Sequence, residues 1–225
     1  IIREHIAAQH KEDSSDVKIG KVTLRCGDFR EIGQEIESES VDLLFTDPLY
    51  SKDKLHLWND LGQLAQRVLK PGGVLLSYSG NLYLPQVYES LGKYLQYFWT
   101  FAIRHSGGHQ TVYAVNVTQM WKPLVAFFKP PFTKAWSPFP DMVSGGQSKE
   151  FYEFEQPESE AYYFLEHMCP KNGTMLDPMM GSASGIVAAM SLGLNALGID
   201  IDTTAYATAK QRVEHLQKSL EKQAA

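Results

Sequence analysis

The sequence predicts an α/β protein built on a mostly parallel sheet with helices on both faces. Three observations carry that prediction. Short apolar runs at residues 41–46, 74–78 and 196–199 have the length and continuity of strands buried on both faces. Between the first two, Leu55, Trp58, Leu61, Leu64, Ala65, Val68 and Leu69 recur at three- and four-residue intervals, the pattern of an amphipathic helix. A strand-like stretch at 173–177 runs into the turn Gly181-Ser182-Ala183-Ser184-Gly185, which opens another helical stretch.

The other elements follow in order. Residues 1–20 read as a polar N-terminal arm, and residues 21–225 as one domain. Lys21–Cys26 alternates apolar and polar residues, a strand that ends in Gly27-Asp28-Phe29 and leads to a short helix over 29–37. The run from Val41 stops at Asp47-Pro48-Leu49-Tyr50, because Pro48 has no N–H and a fixed φ. Lys70-Pro71-Gly72-Gly73 ends the helix over 55–69. Residues 82–95 read as a helix, 97–103 and 119–129 as strands, and 158–168 as a helix. A strand over 196–200 and a helix over 203–222 close the chain, with Asp202 as the natural helix cap. Residues 130–155, rich in Pro, Ser and Gly, read as an irregular loop.

Composition narrows the class. At 225 residues the chain can bury a sizeable core, and 44% hydrophobic with 21% charged residues is ordinary for a globular protein. No apolar run approaches the ~20 residues that span a bilayer, and no signal peptide opens the sequence. Its first residue is Ile1 rather than Met, as in a piece of a longer protein. Cys26 and Cys169 form no C-x-x-C pair, so the sequence points to neither a zinc site nor a disulfide framework, and a reducing, intracellular compartment fits. The net charge of −5 argues against a stand-alone, high-affinity nucleic-acid binder. Arg104, Lys122, Lys129 and Lys134 nevertheless fall together mid-chain, as expected of a local positive rim.

The candidate site residues sit at strand ends, where open α/β sheets bind ligands. On four residues alone, Asp47-Pro48-Leu49-Tyr50 fits an Asp-Pro turn before a core tyrosine as well as it fits a site. The glycine turn lacks G-x-G-x-x-G, which lowers the odds of a dinucleotide dehydrogenase. Asp200 lies at the distance beyond that turn where an acid binds ribose hydroxyls, or it caps a helix. His105 and His109, in the loop from Arg104 to Tyr113, lack a third ligand, and no metal is expected; a surface hairpin or a base- or phosphate-binding loop are the open readings.

Taken together these stretches resemble a known family. Asp47-Pro48-Leu49-Tyr50 resembles the Asp-Pro-Pro-Tyr motif of the S-adenosylmethionine-dependent DNA amino methyltransferases, which methylate adenine N6 or cytosine N4, with Leu49 in place of the second Pro. Asp177-Pro178-Met179-Met180-Gly181-Ser182-Ala183 resembles their Asp-Pro-Phe-x-Gly-Ser-Gly, with Met179 and Ala183 as departures. Gly198-Ile199-Asp200, followed by Tyr206, Ala209 and Arg212, matches a third stretch, and the whole spans roughly residues 22–215. The catalytic motif precedes the cofactor loop, and Gln156-Pro157 precedes a helix, as in the circularly permuted β-order group.

The resemblance implies a seven-stranded, mostly parallel Rossmann-like sheet and methyl transfer from S-adenosylmethionine to a base amino group in DNA. Asp47 at the motif head favours adenine N6. Asp47 and Pro48 would polarise the amine, and Tyr50 would stack on the base. The cofactor would contact Asp28, Asp47, Asp177, Pro178, Met179, Gly181, Ser182, Ala183, Asp200 and Ile201. Arg104, His105 and His109 would face the DNA, and the loop over 130–155 would stand where the family keeps a target-recognition region. DNA binding is expected to be weak or assisted by another domain or a second copy, with no membrane partner, in a prokaryotic or phage-like cytoplasm. The rival expectations are a methyltransferase-like binding module without catalysis, and methylation of an RNA base or a protein amide.

Overall fold

The structure is a computed structural model that describes residues 16–49, 51–105, 110–132, 136–145 and 157–224. In chain order the elements are β1 (Val17–Ile19), β2 (Val22–Cys26), α1 (Phe29–Ile32), β3 (Val41–Thr46), α2 (His56–Val68), β4 (Leu69–Tyr78), α3 (Leu84–Gly92) and β5 (Gln96–His105). Then come β6 (Gln110–Val112), β7 (Val117–Gln119), β8 (Trp121–Phe128), β9 (Met142–Gly145), α4 (Pro157–Met168), β10 (Thr174–Asp177), α5 (Ser184–Ser191), β11 (Asn195–Asp200) and α6 (Thr203–Ala224).

One sheet runs in the order β1-β2-β11-β10-β3-β4-β8-β5-β9. Strands β2, β11, β10, β3 and β4 are parallel to one another, and β9 is parallel to β5. Only β1 and β8 run antiparallel to their partners in this sheet. Every residue of β3 is buried, as an apolar strand covered on both faces must be. Successive side chains alternate between the two faces. Leu43 and Phe45 join one core with Phe164 of α4, Ile186 of α5 and Val213 of α6. Val41 and Leu44 join the other with Trp58 and Leu61 of α2 and Leu91 of α3.

That division places a topological switch between β10 and β3. The helix after β10 covers one face and the helix after β3 covers the other, so the carboxyl ends of these two strands open into a crevice. The pair is short, with only Met175↔Leu43 and Leu176↔Leu44 in register. At the opposite edge the buried Asp42 carboxylate accepts Thr174 N–H at 2.9 Å and the Lys70 ammonium at 2.7 Å, fastening the strand feet together.

Four features differ from the sequence expectation. Among the described residues the sheet has nine strands rather than seven, because two short strands extend its edges. One of them, β1, falls inside the expected arm and pairs with β2, so the folded region starts before residue 21. The other, β9, falls inside the expected irregular loop and pairs with β5. Lys70-Pro71-Gly72-Gly73 lies within β4, where a register shift between Val41 and Leu43 accommodates it. The segment between β5 and β8 carries the β6–β7 hairpin, the surface-hairpin alternative noted above.

Candidate active site

Four parallel neighbours, β2, β11, β10 and β3, each end in or just before an aspartate: Asp28, Asp200, Asp177 and Asp47. Adjacent strands lie about 4.8 Å apart, so the row spans about 14 Å along the carboxyl edge. Asp28 is paired with Arg30 and Asp47 with Lys122, so Asp177 and Asp200 carry what the row offers a cationic ligand.

Each acid is held differently. Asp28 caps α1 by accepting Arg30 N–H at 2.9 Å, and the Arg30 guanidinium clamps both of its oxygens. That guanidinium holds the Asp28 carboxyl below the usual range. Asp200 accepts Gly181 N–H on Oδ2 at 2.7 Å and Asp202 N–H on Oδ1 at 2.8 Å, so it braces the glycine turn. Each carboxylate oxygen has two acceptor sites, which leaves capacity for a further donor. Asp202, as expected, caps α6 by accepting Thr204 and Ala205 N–H.

Asp177 is the deeply buried member. Its carboxyl accepts Met179 N–H at 3.2 Å, and the nearby Thr46 hydroxyl also favours the charged form. Burial overrides both, and with Asp200 and Asp47 nearby its pKa is pushed up to about 7. A carboxyl in this state is poised for a cation.

The turn after Asp177 is a rigid cradle. Gly181 has φ +52°, a conformation glycine adopts freely. A methyl group on Gly185 would sit 3.0 Å from Met175 Cε and 3.4 Å from Asp177 Oδ2, so the helix start approaches the strand closely. Arg212 reaches from α6 to the Ser182 carbonyl and hydroxyl at 2.8 and 2.9 Å and also pairs with Glu158. Pro178 is buried, Met179 packs against the second core, and Ile201 is 69% exposed beside Asp200.

Ala183, where the family has glycine, is buried at φ +68°. That conformation costs a non-glycine residue about 1–2 kcal/mol. Glycine there would relieve it but lose a buried methyl worth about 0.8 kcal/mol and add about 0.5–1 kcal/mol of chain entropy. Ala183→Gly is therefore expected to leave stability within about 1 kcal/mol of the parent, whereas Ala183→Val, β-branched and without room, costs about 3 kcal/mol or more. Urea unfolding of the two variants checks both values.

Asp47 stands at the end of β3 with its side chain 49% exposed, Pro48 is buried, and Leu49 is 64% exposed. Asp47 Oδ2 accepts the Lys122 ammonium at 2.8 Å. Tyr50, His109 and Lys134 lie outside the described residues, as do the side chain of His105 and half of the loop over 130–155.

The expected positive rim is corrected. Strand β8 is antiparallel to β4, so Lys122 at its start and Lys129 just past its end lie at opposite edges of the sheet. Lys129 pairs with Glu39 at 2.9 Å on the far edge, and Lys122 faces Asp47. Arg104, in register with Trp121, stays exposed on the site's edge. Sequence reading also missed Arg212 as the brace of the glycine turn. Among the described residues no three His, Cys, Asp or Glu side chains gather as for a metal ion, and no helix is long and apolar enough to cross a membrane.

Residues 114–211 match the family described as DNA methylase. The match covers 98 of the 225 residues, from the turn between β6 and β7 into α6. Solved structures agree on the fold. TTHA0409 of Thermus thermophilus, provisionally named a DNA modification methylase and solved with S-adenosylmethionine, superposes with a TM-score of 0.70 at 18% identity, over 85% of this chain and 93% of that one. The M1.HpyAVI–SAM complex gives 0.63 at 16% identity, over 85% and 98%. PvuII DNA methyltransferase, specific for cytosine N4, gives 0.68 at 12% identity, over 88% and 91%. A search of curated proteins finds no matching sequence. The methylase fold accounts for the crevice between β10 and β3 and for the glycine turn beside it.

Proposed function

We propose that this chain transfers a methyl group from S-adenosylmethionine to the exocyclic amino group of a base in DNA, and that the base is adenine, methylated at N6. The observation that carries this reading is adjacency: the Asp47-Pro48 pair and the Asp177 glycine turn end neighbouring parallel strands at the switch point.

The residues fit the cofactor. A row of four acids suits a ligand bearing an ammonium and a sulfonium, and the buried Asp177 suits the ammonium. The glycine turn gives close backbone approach, and Asp200, with Ile201 beside it, is in position for the nucleoside part. When bound, S-adenosylmethionine supplies the methyl group.

An exocyclic amine is a poor nucleophile because its lone pair is delocalised into the ring. Asp47 carboxylate and the Pro48 carbonyl act as acceptors for its two hydrogens, draw the nitrogen toward tetrahedral geometry and free the lone pair. The carboxylate also stabilises the positive charge that grows on nitrogen. Tyr50 stacks on the base, a contact worth about 1–3 kcal/mol. A base within a duplex must first be flipped out. Asp at position 47 favours adenine by resemblance, while the likeness to a cytosine-N4 enzyme is one of fold alone.

DNA is bound weakly, with Arg104 at the mouth and the rest of the affinity supplied by another domain or a second copy. The test is incubation of purified chain with radiolabelled S-adenosylmethionine and unmethylated genomic DNA, then nucleoside digestion and mass spectrometry. N6-methyladenine is expected; N4-methylcytosine alone overturns the base assignment, and no methylated base overturns the activity.

A further inference from the structure

We infer that Lys122 is a specificity-determining residue, the donor half of a two-point reader whose acceptor half is Asp47. The inference rests on the base-amino methylation proposed above. The two groups come from strands two places apart in the sheet, β3 and β8, and meet at 2.8 Å at the carboxyl edge.

The lysine is built into the site. Its side chain is only 16% exposed, against 49% for Asp47. Its ammonium lies 4.4 Å from the centre of the Tyr78 ring, a cation–π contact. Tyr78 is itself fixed: its hydroxyl donates to the buried Glu160 carboxylate at 2.7 Å, and Phe45 meets its ring edge-on at 5.6 Å. An exposed lysine–aspartate pair is worth little. This one has its cation enclosed and its anion open toward the crevice.

The pair matches one pattern on a base edge. Adenine and cytosine each present an amino donor beside a bare ring nitrogen that accepts. Asp47 takes the amino hydrogen, and the Lys122 ammonium, with three N–H donors, gives one to that ring nitrogen. On guanine the ring position beside the amino group on the Watson–Crick edge carries hydrogen, so donor would face donor. Thymine has no amino group. A flipped base is read by such contacts along its Watson–Crick edge. Lys122 thus orients the amine toward the crevice and rejects bases that lack the acceptor.

The experiment compares the parent chain with Lys122→Met and Lys122→Arg on one amplified DNA made with ordinary adenine or with 1-deazaadenine, in which carbon replaces the ring nitrogen N1. On ordinary DNA, Lys122→Met is expected to lower kcat/KM by about ten- to a hundredfold, the scale of a hydrogen bond to a charged group, and Lys122→Arg to restore part of it. Calorimetry with S-adenosylmethionine should show unchanged affinity. On 1-deazaadenine DNA the parent should slow to the level of Lys122→Met, and the substitution should have no further effect. Equal loss on both DNAs, a loss of cofactor affinity, or no loss on ordinary DNA overturns the inference. A parent chain inactive on ordinary DNA overturns the proposed activity itself, a result distinct from an active parent indifferent to Lys122.

Discussion

Asp47→Ala is expected to lower methyl transfer by about a hundred- to a thousandfold, the scale set by removing one preorganised group aimed at developing charge. The substitution removes the carboxylate acceptor for the amine and leaves the Lys122 ammonium without that partner, so the site turns from neutral to repulsive toward a nitrogen gaining positive charge. The glycine turn is untouched, because its braces come from Asp200 and Arg212. Affinity for S-adenosylmethionine should therefore change little. Single-turnover rates and calorimetry on the same preparation separate the two quantities, and an undiminished rate would exclude the acceptor role. Asp47→Asn retains an acceptor oxygen and should fall between.

The second large effect concerns Asp177. Its folded pKa, about 7, lies above the ordinary aspartate value of 3.8, so between those values the native chain binds a proton that the unfolded chain has released. Stability in the absence of ligand therefore falls as pH rises through that window. Asp177→Asn removes the ionisation while keeping an oxygen for Met179 N–H. It should raise stability at about pH 8 by a few kcal/mol, a gain that vanishes at about pH 4.

The same substitution should abolish tight cofactor binding, because the ammonium loses its carboxylate. In the parent chain a cationic ligand must expel the Asp177 proton below its pKa. Affinity should then rise up to about tenfold per pH unit from pH 5 to 7 and level off above. Titrations in buffers of different ionisation heat should register the released proton at acidic pH and none at about pH 8. A pH-independent affinity would separate Asp177 from the ammonium.

Legibility in the sequence followed the strength of local physics. The strand at Val41–Thr46 could be read because a mostly apolar run meets a proline, and α2 because its apolar spacing leaves no other period. The glycine turn and Asp202 cap carried their conformational demands in their residue types. Val17-Lys18-Ile19 and Met142–Gly145 could not be read as strands. Each is three or four residues long and takes its strand form from a neighbour's edge. The positive rim failed for a related reason: charge along a sequence says nothing about which end of a strand carries it, and the antiparallel β8 separates Lys122 from Lys129. The pairing of Lys122 with Asp47 and the bracing of the turn by Arg212 depend on residues brought together only by the completed sheet.

The seam between β3 and β10 also governs how the chain is made. Asp42 and Thr174, joined across it, are 132 residues apart in sequence. During synthesis β3 emerges before β10, pairs with β4 on one side and waits with an apolar edge open on the other. Contacts so distant are slow to form, and an uncovered strand edge invites pairing with other chains. A ribosome-stalled or truncated chain ending before Thr174 should therefore associate or engage chaperones, and release only when β10 arrives to cover β3.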